Sequence, residues 1–112
     1  MKATDDYLLF LHSHGLSLKD SLGIKDIALT RENTLKAVSL LREARLLILG
    51  GDVYFDDGRR ITVAYANWHT DRIADESHDD YSSRSCDSSE SYISSFPTKK
   101  GLTPLFVLVV NS

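Results

Sequence analysis

A chain of 112 residues, 42% hydrophobic and 26% charged, has the composition of one globular domain and excludes wholesale disorder, a collagen-like repeat and a membrane-spanning bundle. A net charge of −3 excludes the strong basic field on which nucleic-acid binding usually rests. The longest unbroken apolar run, Leu105 to Val110, is six residues, against the ~20 of a spanning helix.

The start, where Asp5 and Asp6 follow Lys2, lacks the apolar stretch of a secretory signal. Residues 5–14 read as a short helix with an acidic first turn and Gly15 as its stop. Residues 16–29 scatter Leu16, Leu18, Leu22, Ile24 and Ile27 between single charges and predict a short helix or turn, then an extended Ile27-Ala28-Leu29. Thr30 to Arg45 is the strongest helix. Thr30 suits an N-cap, Leu35, Val38 and Leu41 recur at helical spacing, and Arg42 and Arg45 complement the last carbonyls. Leu46 to Phe55 changes period and predicts a strand buried on both faces at its start, with Gly50-Gly51 marking a bulge or a close approach of another backbone or ligand. Asp56-Asp57-Gly58 signals a hairpin, and residues 59–66 alternate with Ile61, Val63 and Tyr65 on one side.

Residues 77–96 contain nine serines, a composition that by itself favours a loop. Yet Tyr81, Ser85, Ser88 or Ser89, Tyr92 and Phe96 share a helical face, Ser77 can cap, and Pro97 stops the run, so the reading is an amphipathic helix held by its aromatics. Leu105 to Val110 reads as an interior strand. The fold class is therefore α+β: a single domain, residues 1–112, with a small, mainly antiparallel sheet of three or four strands and helices packed on it.

Few residues point to chemistry. His12 and His14 are two apart on a helix and so face different ways; no Cys-x-x-Cys or His-Glu-x-x-His pattern supports a metal, and no cofactor is called for. Cys86, the lone cysteine, cannot form an internal disulfide and sits among acids that disfavour a thiolate, so it reads as a buried filler. Gly50-Gly51 precedes an acid and a strand where a phosphate loop needs a basic residue and a helix, and no Gly-x-Ser-x-Gly elbow occurs. Two features stand out. Tyr65-Ala66-Asn67-Trp68 places aromatics where a strand ends, as core plugs or as an exposed interface anchor. Residues 71–90 gather Asp71, Asp75, Glu76, Asp79, Asp80, Asp87 and Glu90 against only Arg72 and Arg84, whereas residues 1–70 balance nine acids with nine bases. Such a stretch is either a solvated face or a surface that steers a basic partner.

The run Ile48-Leu49-Gly50-Gly51-Asp52-Val53-Tyr54, the hairpin, and Tyr65-Ala66-Asn67-Trp68 together resemble immunity protein family 40. The similarity continues through Tyr81 and Tyr92-Ile93 to Leu105-Phe106-Val107-Leu108-Val109, and upstream through Gly23-Ile24-Lys25 and Leu35-Lys36-Ala37, covering roughly residues 16–110. The helix after Ser77 is richer in serine than the pattern. The resemblance implies a non-catalytic bacterial protein, encoded beside a polymorphic toxin such as those of contact-dependent inhibition, that protects the producing cell by occupying the toxin domain; the lone cysteine makes the cytoplasm its simplest placement. The resemblance also implies a toxin that is often a nuclease with a basic groove. Candidate toxin-binding residues are Asp71, Asp75, Glu76, Asp79, Asp80, Asp87 and Glu90, then Trp68, Asp56 and Asp57; Gly50, Gly51, Tyr65 and Asn67 read as structural. The partner is the cognate toxin domain, with neither nucleic acid nor membrane. The competing readings are a small non-enzymatic ligand- or protein-binding domain with its pocket beside Gly50-Gly51, and a small enzyme using Cys86, a histidine or the loop carboxylates; separately, the Leu46 to Phe55 and Leu105 to Val110 strands could leave an edge able to pair with a toxin strand or a second copy.

Overall fold

The computed structural model describes residues 3–111; Lys2 lies outside them. Helix α1 spans Ala3–His14, with Asp5 and Asp6 at its positive end, and the chain turns as Gly15 N donates to the Leu11 carbonyl at 2.8 Å. A two-residue strand β1 (Leu16–Ser17), a single-turn helix α2 (Lys19–Leu22) and strand β2 (Ile27–Thr30) follow. Thr30 caps helix α3 (Arg31–Glu43), its hydroxyl accepting from Asn33 N at 3.2 Å, and Ala37, Val38 and Leu41 form the buried stripe. Strands β3 (Leu47–Asp56) and β4 (Ile61–His69) make the hairpin, and helix α4 (His78–Ser95) and strand β5 (Thr103–Asn111) complete the chain.

The sheet is antiparallel throughout, with strand order β1-β2-β5-β3-β4. The α+β expectation holds, with five strands in place of three or four; the additional one is β1, too short to carry a period of its own. Strands β3 and β5 lie inside the sheet, so neither offers the free edge envisaged for strand addition; among the described residues the edges are β1 and β4. Helices α1, α3 and α4 cover one face, over a core that includes Tyr7, Leu29, Ile48, Trp68, Ile93 and Phe106. The other face is covered only at one end, where Leu18, Leu22 and Ile24 from the α2 segment pack on Tyr54, Ile61 and Leu105.

Serine content explains how α4 sits on this sheet. Its buried residues are Tyr81, Ser82, Ser85, Cys86, Ser89 and Ile93, a face of small side chains that lets the helix backbone come close. Each serine is also hydrogen-bonded. Ser82 Oγ donates to the Leu46 carbonyl at 2.9 Å, Ile48 N donates to Ser85 Oγ at 3.1 Å, and Trp68 Nε1 donates to Ser89 Oγ at 3.0 Å. The bond to Ile48 matters because β3 slips register against β5 between Ile48 and Gly50, and Ser85 receives the amide at that irregularity. Helix α4 has no basic residue in its last turn; Arg31, at the start of α3, reaches across and donates to the Ile93 and Ser94 carbonyls at 2.7 and 3.2 Å.

Gly51 serves the same approach, and Gly50 the close pairing of β3 with β4. A Cβ on Gly51 would strike the Trp68 ring and the Val107 carbonyl, and one on Gly50 would strike the Trp68 carbonyl. The bulge expected at Gly50-Gly51 is there, and the close neighbour is Trp68. Trp68 stacks on Tyr92 (ring centroids 4.7 Å apart) and meets Phe106 edge-on.

Strand β4 departs from the expectation in two ways. It runs to His69, past Ala66, so Asn67 and Trp68 belong to the strand itself. It also bulges: Val53 pairs with Ala66 but the next residue, Tyr54, pairs with Val63, leaving Ala64 and Tyr65 unpaired. Because two residues are inserted, the alternation survives, but the core side is the one carrying Ala64, Ala66 and Trp68. Tyr65, read as a packing residue, instead has φ +56° and is 92% exposed.

Gly51→Ala forces a methyl into the Trp68 ring, and unfolding in urea should show a loss of about 1–3 kcal/mol with an unchanged m-value. Ser85→Ala leaves the buried Ile48 amide without its acceptor and should cost a similar ~1–3 kcal/mol in the same assay.

Candidate partner-binding surface

The seven carboxylates of residues 71–90 lie on the β4–α4 connection and on α4. Ser77 caps the helix, its hydroxyl accepting from Asp80 N at 3.1 Å, and Asp79 and Asp80 fill the first turn. Before the cap, residues 70–76 are held as a fixed loop. Arg84 grips Glu76 with Nε and one Nη, both at 2.8 Å, and donates its Nη to the Asp71 carbonyl as well. Glu76 Oε1 accepts from Ile73 N at 3.1 Å, Arg72 donates to the Glu76 carbonyl at 2.7 Å, and Tyr81 OH donates to the Thr70 carbonyl at 2.8 Å. The Glu76 side chain is only 10% exposed, and the Arg84 hydrogen bonds hold its carboxyl down at about 2. Glu76 is therefore the latch of this loop.

Three of the other acids meet cations that lie far away in sequence. Arg42 on α3 pairs with Asp87 at 2.8 Å and Glu90 at 3.0 Å, and Arg45 just beyond α3 pairs with Asp79 at 3.5 Å. His69 Nε2 is 3.7 Å from Asp71. The sequence shows Arg42 and Arg45 as cations of a helix end; that they also neutralise part of the acidic stretch follows only from the packing of α3 on α4. Even so, Asp71, Asp79, Asp87 and Glu90 keep 55–88% of their side chains exposed. Asp75 and Asp80 are exposed too, and among the described residues neither is in an ion pair within 4.0 Å.

The remaining candidates are placed differently. Trp68 is buried beneath α4 with its indole nitrogen bonded to Ser89, so it supports the acidic helix from below and presents no anchor to solvent. Asp56 and Asp57 order the hairpin turn. Asp56 Oδ1 accepts from Gly58 N at 2.8 Å, and Asp57 Oδ1 accepts from Arg59 N and Arg60 N at 2.8 and 2.9 Å, with the Arg60 amide foremost in lowering the Asp57 carboxyl below its usual range. Cys86 is fully buried, and burial pushes its thiol up, away from a nucleophilic thiolate. A shallow hollow of about 270 Å³ does lie at Gly50-Gly51, walled by Asp52, Asn67, His69 and Val109 on the uncovered face of the sheet. Among the described residues, no group of three or more His, Cys, Asp or Glu is arranged to hold a metal, and no helix is long and apolar enough to cross a membrane.

Residues 17–110 match the family model described as Immunity protein 40. The chain belongs to the Immunity protein 40 family. The matched span runs from the second residue of β1 to the last but one of β5, and so takes in nearly the whole sheet, α3, α4 and the acidic connection, while α1 precedes it. No curated protein and no solved structure matches the chain.

The Glu76 latch has a pH signature. A carboxyl that titrates near 2 in the folded protein against the usual 4.5 contributes its stability in full above pH 4.5 and loses it as the pH falls toward 2. Thermal unfolding of Glu76→Gln should lie below that of the parent at neutral pH, with the two curves converging between pH 4.5 and 2.

Proposed function

We propose that this immunity protein neutralises a nuclease toxin domain of a contact-dependent inhibition or other polymorphic toxin system, in the cytoplasm of the producing cell. It acts as a stoichiometric binder and not as an enzyme. The observation that carries this reading is the concentration of solvent-exposed carboxylates on α4 and the connection before it, Asp71, Asp75, Asp79, Asp80, Asp87 and Glu90, in a member of an immunity family. A nuclease presents a basic groove to phosphates, and a fixed array of carboxylates offers that groove the same charge. The surface ion pairs to Arg42 and Arg45 do not prevent this, because an exposed pair contributes only about 0–1 kcal/mol and exchanges partners readily. Long-range attraction then raises the encounter rate, which is where surface charge acts most strongly. Glu76 contributes by holding the loop, and Asp56 and Asp57 by fixing the hairpin.

Co-expression with the toxin domain encoded immediately upstream should restore growth and yield a stable complex. In stopped-flow mixing at low salt, the combined variant Asp75→Asn, Asp80→Asn, Asp87→Asn and Glu90→Gln should associate about tenfold more slowly or worse, the difference closing as ionic strength rises. Equal association rates at low salt would remove the acidic surface from the mechanism. Growth arrest with both proteins soluble and no complex would remove the toxin.

A further inference from the structure

The uncovered face of the sheet carries the features of a short-range anchor that the acidic helix lacks. Tyr65 stands at its rim, 92% exposed, on a bulge of edge strand β4 where its φ of +56° is uncommon for any residue but glycine. Neither circumstance helps the free protein: a whole aromatic ring is left in water, and the backbone is strained to put it there. Val63 on β4 and Val109 on β5 are exposed on the same side of the sheet, 42% and 45%. The hollow at Gly50-Gly51 has Asp52 in its wall together with Val109. The carboxylates of the acidic helix are mostly matched with arginines. Among the described residues, Asp52 and the nearby Asp26 have neither an ion pair nor a side-chain hydrogen bond, and both act on the Tyr54 hydroxyl, pushing it up in addition to the effect of burial. An exposed aromatic beside aliphatic side chains and unmatched carboxylates complements a cationic protein surface: aliphatic stems of lysine or arginine lie on the ring and the valines, and their charged ends reach Asp52.

We infer that Tyr65 and the surrounding uncovered sheet face, with Asp52, form the anchoring contact for the basic toxin domain, while the acidic helix steers its approach. The inference rests on the toxin-binding reading above and assigns the lifetime of the complex to a surface that adjoins the acidic connection at the end of β4, where His69 in the wall of the hollow lies 3.7 Å from Asp71. The bulge brings Tyr65 clear of the strand so that it can insert into a pocket of the partner, the position from which tyrosine contributes most at interfaces.

The test uses the upstream-encoded toxin domain and measures association and dissociation separately. Tyr65→Ala should leave the association rate and its salt dependence within twofold of the parent and raise the dissociation rate at least tenfold; Tyr65→Phe should recover most of the lifetime. Tyr65→Gly separates binding from folding, since glycine adopts φ +56° freely: its thermal midpoint should equal or exceed the parent's while its complex dissociates as fast as that of Tyr65→Ala. Asp52→Asn should shorten the lifetime severalfold. Unchanged dissociation in both Tyr65→Ala and Tyr65→Gly, with the parent complex intact, would overturn the anchor and leave the immunity reading standing. Absence of any parent complex would overturn both.

Discussion

The structure depends on how closely α4 can lie against β3. Ordinary helix–sheet packing interposes a layer of large aliphatic side chains. Here the helix offers Ser82, Ser85, Cys86 and Ser89, and the strand offers Gly51, on which the Trp68 ring lies. Trp68 fills the remaining space, its ring over Gly51, its face on Tyr92 and its nitrogen on Ser89. An apolar layer of small residues would fill that volume equally well, but it would leave the Ile48 amide and the Trp68 N–H without acceptors. Buried polar groups cost most when unpaired, so serine, which is small and also an acceptor, fits where alanine would not.

That approach also sets the electrostatics. Holding α4 beside α3 puts Arg42 within reach of Asp87 and Glu90, and Arg45 within reach of Asp79. The acidic surface is thus moderated by cations some forty residues upstream, and its self-repulsion is reduced without hiding the carboxylates. Arg84 and Glu76 do a separate job: they fasten the connection between β4 and α4, whose backbone otherwise has few partners. On the toxin-binding reading, a connection held by these hydrogen bonds loses less motion on binding.

On the binding reading proposed here, the two surfaces divide the work of recognition by range. Charge acts across a Debye length of ~8 Å at physiological salt and governs encounter. Aromatic and aliphatic contact acts only on touching and governs how long the complex lasts. The α2 segment covers the second face at one end only, which leaves Val63, Tyr65 and Val109 open to solvent.

Local signals in the sequence determined much of this protein: Thr30 and Ser77 as caps, the stripe of Val38 and Leu41, the hairpin at Asp56-Asp57-Gly58, the irregularity at Gly50-Gly51, and the family itself through that run and its distance to Asn67-Trp68. Each of these rests on neighbours within a turn or two of chain, where spacing and residue type are enough. Tertiary structure alone decided which side of β4 faces the helices, because Ile61, Val63 and Tyr65 look more apolar than Ala64 and Ala66, yet the close helix needs the small ones. It also decided that Trp68 is buried and Tyr65 exposed, since a two-residue bulge keeps the alternation and so leaves no trace in it. And it decided which acids are matched, because Arg42 and Arg45 reach them only once α3 and α4 are side by side. Those outcomes depend on contacts between distant segments, and a linear pattern records only its own neighbourhood.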